Sequence, residues 1–173
     1  MAEERFTIRT LTKADVATYR DLRLAALRDV PMAFSSSYEE ESLLSLETFR
    51  ARLPDDGVSA VFTAFEGDRA VGMAGFQKNA NLKARHKGVM WGVYVAPDCR
   101  GLGLAGRLVD AVIAQARGRV MLLECGVAME NASARRVYHQ RGFVPYGVEL
   151  KAIHIDGVYY DEELLVLDLA KVT

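Results

Sequence analysis

Val93-Tyr94-Val95-Ala96-Pro97-Asp98-Cys99-Arg100-Gly101-Leu102-Gly103-Leu104-Ala105-Gly106 joins an apolar strand to a helix through a glycine-rich loop. The strand starts near Val89 and stops at Pro97, whose missing N–H ends regular pairing. Beyond the loop, Leu104, Leu108, Ala111 and Val112 recur at helical spacing. Successive backbone N–H groups in such a loop converge on an anion, and the helix N-terminus adds partial positive charge. Glycine admits a phosphate with no Cβ in the way. Arg100 supplies a permanently charged, forked donor set suited to phosphate. The chemistry implied is binding of a phosphate ester or pyrophosphate. Taken alone, the loop is read equally well as a structural turn beside a solvated arginine.

Gly101-x-Gly103-x-x-Gly106 also matches the dinucleotide fingerprint, with Glu124 closing the next strand where a ribose hydroxyl would need an acid. The surroundings weigh against it: neither flank supplies the further βαβ repeats of a doubly wound sheet. No G-K-[ST] is present for a Walker loop, and no V-A-I-K, H-R-D or D-F-G for a kinase.

Outward from the loop, alternation predicts a strand over residues 6–11. Thr12-Lys13-Ala14-Asp15 reads as a capping start for a helix carrying Tyr19, Leu22, Leu24 and Leu27 to Pro31. A second helix is expected around residues 45–49, then strands over 59–65 and 70–76 about Glu66-Gly67-Asp68. A strand over 120–124 precedes a helix over 131–140, closed by Gly142 as a left-handed cap. The tail reads as strands near 148–155 and 164–169, joined through Asp156-Gly157. The order βααβββαβαββ predicts an α/β chain with a mostly antiparallel start. Without repeat, linker or low-complexity segment, residues 1–173 are expected to form one domain.

Composition limits the partners. Twenty-two basic and 23 acidic residues leave a net charge of −1, giving no electrostatic reason to expect nucleic acid or an anionic membrane. No stretch approaches the ~20 apolar residues that span a bilayer, and the N-terminus has no signal-like apolar run. Cys99 and Cys125 form no CxxC pair and no zinc-like spacing with His86, His139 or His154. They read as reduced thiols, no metal site is expected, and the expected location is the cytoplasm.

Downstream, Asn131-Ala132-Ser133-Ala134-Arg135-Arg136-Val137-Tyr138-His139-Gln140-Arg141-Gly142-Phe143 has the form N-x-x-A-x-x-x-Y-x-x-x-G-F. Together with residues 93–106 it resembles the GNAT superfamily of N-acetyltransferases, whose acyl-CoA loop [QR]-x-x-G-x-[GA] is met by Arg100, Gly103 and Ala105. The resemblance covers the element order of nearly the whole chain, with its specific motifs inside residues 93–143. It implies a mixed central sheet, mostly antiparallel with one parallel splayed pair, flanked by about four helices. It also implies acetyl-CoA as acetyl donor and direct transfer to a primary amine of a small molecule or protein. By that resemblance, backbone groups of Val93, Tyr94 and Val95 bond the pantetheine and polarise the thioester carbonyl. Arg100, Gly101, Leu102, Gly103, Leu104 and Ala105 hold the pyrophosphate, Asn131 contacts the CoA arm, and Tyr138 points at the sulfur.

Residue chemistry agrees with those roles. An amine must shed a proton from a group with pKa near ~10 before it attacks, and a phenol is a reasonable donor to the leaving thiolate. Direct attack needs no enzyme nucleophile, so both cysteines read as packed thiols. Asn131 serves equally well as a helix cap, and Tyr138, about two turns later, shares its face. Glu124 is the first general-base candidate, with a solvated strand end as the alternative; Glu39 is the second, and a water chain the third reading. Glu39-Glu40-Glu41 and the cluster Asp156, Asp161, Glu162 and Glu163 read as solvated faces or as the mouth for a cationic amine. An NAD(P)-binding oxidoreductase and a non-catalytic acyl-CoA-binding module stay open as alternatives, and a homodimer is the expected assembly on frequency alone. These readings separate by ligand. Acetyl-CoA is expected to raise the thermal midpoint by mass action, while NADH and NADPH leave it unmoved. A shift with either dinucleotide and none with acetyl-CoA reverses the assignment.

Overall fold

The computed structural model describes residues 5–170. Seven strands form one sheet: β1 (Thr7–Thr10), β2 (Ala60–Glu66), β3 (Arg69–Lys78), β4 (Lys87–Val95), β5 (Leu122–Ala128), β6 (Val144–Ile155) and β7 (Val158–Asp168). Their spatial order is β1-β2-β3-β4-β5-β7-β6, with every neighbouring pair antiparallel except β4 and β5. The helices among the described residues are α1 (Val16–Asp29), α2 (Tyr38–Ser42), α3 (Leu46–Arg52), α4 (Leu104–Ala116) and α5 (Ala132–His139). The sheet is mixed with one parallel pair, as the resemblance implies.

Five helices stand where about four are expected, because Ser37-Tyr38-Glu39-Glu40 is itself a capping box. Ser37 Oγ accepts from the Glu40 N–H at 3.1 Å, and the Glu40 carboxylate accepts from the Ser37 N–H at 3.3 Å. Thr12 instead opens a 3₁₀ turn, and α1 begins only at Val16. Asp15 explains the delay: its carboxylate accepts from the Thr12 N–H at 2.8 Å and is also held by Arg9 at 2.8 Å. Three strands outrun their sequence expectation furthest. β5 continues past Glu124 to Ala128, and β6 and β7 form a long hairpin in place of two short strands. The acidic run Asp161-Glu162-Glu163 conceals β7, because it reads as loop while Asp161 and Glu163 are absorbed by partners on other elements.

The sheet separates two apolar cores. Leu104, Leu108, Val109 and Val112 of α4, with Tyr138 of α5 and Phe143, pack on Val71, Phe76, Leu123 and Leu165. Tyr19, Leu22 and Leu27 of α1, with Phe49 of α3, pack on Val61, Phe65 and Met73 from the opposite face. Gly142 takes φ +87° directly beyond α5, the left-handed conformation expected of a helix-ending glycine.

Two sheet irregularities prepare the centre of the molecule. β4 and β5 pair only over Lys87↔Leu122, Gly88↔Leu123 and Val89↔Glu124, so the remaining six residues of β4 leave β5. On the other side of β4 the register against β3 shifts between Met73 and Gly75, opposite Gly92 at φ +64°. The Trp91 indole lies on Gly75 so closely that a Cβ there would fall 2.1 Å from the ring.

Beneath α1 lies a buried ion cluster. Arg23 donates to both oxygens of Glu41 at 3.1 and 2.9 Å, and Arg52 reaches the same carboxylate at 3.1 Å. Burial raises the Glu41 proton affinity, but the two guanidiniums prevail and hold its pKa below the usual value. Glu41→Ala leaves Arg23 charged, buried and unpaired, and is expected to cost about 3–5 kcal/mol. Urea denaturation with an unchanged m-value checks this. A loss below about 1 kcal/mol would make the cluster incidental to stability.

Candidate functional site

Where β4 leaves β5, six residues of strand face a gap instead of a partner. The gap is a pocket of about 530 Å³, walled by Val93, Tyr94 and Val95 on one side and by Asn131, Ala134 and Tyr138 on the other. Val30, Met32 and Ala33, the turn after α1, close over it. One end opens on Arg100, Gly101, Gly103, Leu104, Ala105 and Gly106. Backbone groups on this edge of β4 have no β5 strand to bond, so a linear ligand with amide groups can take its place.

The three loop glycines divide their work. Gly101 and Gly103 have φ of +74° and +76°, and a Cβ on either would meet nothing within 4 Å. Their need is conformational, and the space before them stays open to a ligand. Gly103 is also the N-cap of α4, so the first free N–H groups of that helix point out of the loop. Gly106 differs: a Cβ there would fall 2.2 Å from Arg141 Nη2. Arg141 donates to the Gly106 carbonyl at 3.2 Å and pairs with Asp110 at 2.7 Å, tying α4 to the end of α5. The third glycine of the G-x-G-x-x-G match thus serves an interhelical contact, and the mostly antiparallel sheet is not doubly wound.

Arg100 lines the pocket with its guanidinium already engaged. Its Nε donates to the Val95 carbonyl at 2.9 Å, its Nη2 contacts Asp29, and it lies over the Tyr94 ring. It therefore braces the loop against β4 and α1 in addition to lending positive charge. Leu102 is 42% exposed and does not line the pocket.

On α5, Asn131 Oδ1 accepts from the Ala134 N–H at 3.2 Å and so caps the helix, leaving its amide NH₂ beside the pocket. Tyr138 is buried, and its hydroxyl has no hydrogen-bond partner among the described residues. Burial, with the adjacent Cys125, pushes its pKa far above the usual phenol value, so it stays protonated and able to donate. The Cys125 thiol is pushed up to about 12 by burial and then by Glu162 and Glu163, so it is not a thiolate nucleophile. Both cysteines are free and buried.

From the large pocket a recess of about 40 Å³ continues between β4 and β5. Asn131 and Tyr138 line both spaces; Trp91, Gly92, Gly126 and Glu162 belong to the recess. Across β4 lies a further polar pocket of about 510 Å³, which includes Arg23, Glu41, Arg52 and Trp91. Trp91 stands between the two spaces, its buried indole N–H without a partner among the described residues.

The candidate acids go to different places. Glu124 occupies the last β4–β5 rung and pairs with Lys87 Nζ at 2.8 Å; it lines neither the large pocket nor the recess. Glu39 is exposed on α2, and of its triplet it is Glu41 that turns inward. In the C-terminal cluster, Asp156 forms the β6–β7 turn and Asp161 accepts from the Lys151 N–H at 2.7 Å. Glu163 is held by Arg135 at 3.0 and 3.1 Å and by His139 at 3.1 Å. Only Glu162 enters the recess. The sequence offered Glu162 only as one of four acids in that cluster; what singles it out is Gly126 on β5, which leaves space beside its carboxylate, a relation between residues far apart in the chain.

Comparison with known proteins places these features. The profile of the acetyltransferase (GNAT) family matches residues 23–143. The chain is 28% identical over 142 residues to an uncharacterized N-acetyltransferase of Methanocaldococcus jannaschii; the match covers 80% of this chain and spans about 60% of that curated relative's length. A GNAT-family acetyltransferase from Streptococcus pneumoniae superposes with a TM-score of 0.82 at 20% identity, covering 95% of this chain and 99% of the other. A putative acetyltransferase from Salmonella typhimurium, solved with its cofactor acetyl-CoA, superposes at 0.79 with 23% identity, covering 96% and 95%.

The loop geometry yields a graded test. Gly103→Val both forces a β-branched residue to positive φ and obstructs the helix N-terminus, so acetyl-CoA affinity is expected to fall at least about tenfold. Leu102→Val, outside the pocket, is expected to change it less than about twofold. Isothermal titration checks both, and equal, small effects would make the loop merely structural.

Proposed function

The chain belongs to the acetyltransferase (GNAT) family, and on that premise we propose that it transfers the acetyl group of acetyl-CoA directly to a primary amine of a small molecule or protein. The observation that carries this reading is the Tyr138 hydroxyl, unpartnered among the described residues, where the large pocket narrows into the recess beside the unpaired edge of β4.

In this reading the pantetheine arm lies along β4 and exchanges hydrogen bonds with backbone groups of Val93, Tyr94 and Val95, replacing the missing strand. Donors held rigidly in the sheet stabilise the oxyanion that develops on the thioester carbonyl without reorganising. The pyrophosphate rests on the N–H groups from Gly101 to Ala105 at the start of α4, with Arg100 holding the loop in shape. The Asn131 amide is available to the CoA arm while its oxygen caps α5. Tyr138 gives its proton to the departing sulfur, and burial keeps that proton in place until the thiolate forms.

A dinucleotide-dependent reaction finds no support in the mostly antiparallel sheet, or in a third glycine that serves Arg141. A module that binds acyl-CoA without turnover would lack a reason for an unpaired phenol at the junction of the two spaces. The deciding experiment is a thiol-release assay with acetyl-CoA against amines from amino acids and polyamines to peptide N-termini; release with none of them would refute the enzymatic reading.

Tyr138→Phe keeps the ring and its packing and deletes only the hydroxyl. The kcat is expected to fall roughly 10²-fold or more with acetyl-CoA affinity little changed. A purely structural tyrosine would keep its turnover and lose at most about 1 kcal/mol of stability. Steady-state kinetics alongside CoA titration tells these apart.

A further inference from the structure

We propose that Glu162 is the catalytic base of this transfer, taking the proton from the attacking amine in the recess between β4 and β5, opposite the phenol that protonates the sulfur. This rests on the amine-acetylation reading and goes beyond it by naming where the proton goes and from which side the amine approaches.

Placement is the first support. Glu162 lies on β7 at the last β5–β7 rung, beyond the point where β4 leaves β5, paired with Ala128 on β5 and with Glu149 on β6. It lines the same recess as Tyr138, so an acid and a base face one small space. The second support is the backbone beneath it. A Cβ on Gly126 would fall 2.7 Å from Glu162 Oε2, so glycine leaves the carboxylate room to lie across β5, and any larger residue would push it aside. Third, the carboxylate is free. Among the described residues it has no ion pair or hydrogen bond, whereas Glu41, Glu124, Asp161 and Glu163 are all engaged. A half-buried carboxylate that carries no partner is unusual unless a ligand supplies one.

No cation among the described residues lines the recess. Cys125 approaches from β5, Tyr138 from α5 and Glu149 from β6; the recess residues on β4, Met90 to Val93, carry no charge. Glu163 turns to the other face with Arg135 and His139, and Asp161 binds the Lys151 N–H. Burial first, and the Glu149 charge second, raise the Glu162 pKa above the ordinary carboxylate value. That direction improves a carboxylate as a base for an amine near neutral pH.

The step balances as follows. The amine nitrogen attacks the thioester carbonyl carbon and gives one N–H proton to Glu162 as the C–N bond forms. The carbon–sulfur bond then breaks, and the sulfur takes the Tyr138 proton. Solvent returns the pair to its starting state by carrying one proton from the Glu162 carboxyl to the Tyr138 phenolate. Products are the acetylated amine and free CoA thiol, with no other reactant needed.

The test uses whichever amine the wild-type chain acetylates. Glu162→Gln is expected to lower kcat roughly 10²-fold or more with acetyl-CoA affinity unchanged, and to abolish the acid limb of the pH–rate profile. In the wild type that limb falls as pH drops, because protonation removes the base, and its midpoint lies above the ~4.3 of a free glutamate. A carbon-13 titration of labelled glutamate carboxyls in the CoA-bound protein supplies a readout independent of turnover: one resonance titrates above that value and vanishes in Glu162→Gln. Gly126→Ala, which crowds the carboxylate without removing it, is expected to lower kcat while leaving CoA binding intact. Retention of both rate and acid limb in Glu162→Gln, or loss of that limb in Glu124→Gln instead, overturns the proposal. A wild-type chain that releases thiol with no amine refutes the amine reading itself, a result distinct from an active enzyme indifferent to position 162.

Discussion

Everything at the centre of this molecule depends on how little β4 and β5 share. Three rungs of parallel pairing hold them together, and after Val89 and Glu124 the strands part. A parallel pair requires a crossover between its members, and here the crossover is α4 with the loop before it. The helix start, the loop and the open strand edge are consequently delivered to one spot by a single connection. Unpaired backbone groups are costly when buried and dry. A ligand that bonds them recovers that cost, so the break in the sheet is also the source of binding free energy.

The residues that keep the gap open are mostly small, and each is small for its own reason. Gly101 and Gly103 provide backbone conformations that side chains resist, Gly106 clears room for Arg141, and Gly75 clears room for Trp91. Gly92 marks the bend that carries β4 off its register with β3. Reading these positions as one phosphate-binding pattern would merge a ligand contact with two packing contacts. The structure separates them by what a Cβ at each would touch.

Charge is arranged with the same economy. Acids on the surface of the sequence are drawn into pairs: Glu41 by two arginines, Glu124 by Lys87, Glu163 by Arg135 and His139. Their cationic partners hold Glu41 and Glu163 in the charged form, which makes them poor proton acceptors near neutral pH. An acid left alone in an enclosed space behaves in the opposite way. The contrast between Glu162 and Glu163, adjacent in the chain and on opposite faces of one strand, follows from the period-two alternation of a β-strand.

The sequence by itself determined the family resemblance, the strand–loop–helix around Arg100, the helix holding Asn131 and Tyr138, and the left-handed cap at Gly142. Those features are written in local spacing: glycine and proline punctuation, helical periodicity, and two motifs on consecutive elements. Tertiary structure decided what spacing cannot carry. That Arg100 braces Val95 and Asp29, that Gly106 accommodates Arg141, and that Glu124 is tied to Lys87 all depend on pairs separated by 5 to 71 positions. The identity of the one unengaged acid in the recess belongs to the same class, since Gly126 and Glu162 meet only when β5 and β7 are placed side by side. Local order follows from neighbouring residues along the chain; the charge state and freedom of a side chain follow from whatever the fold brings against it.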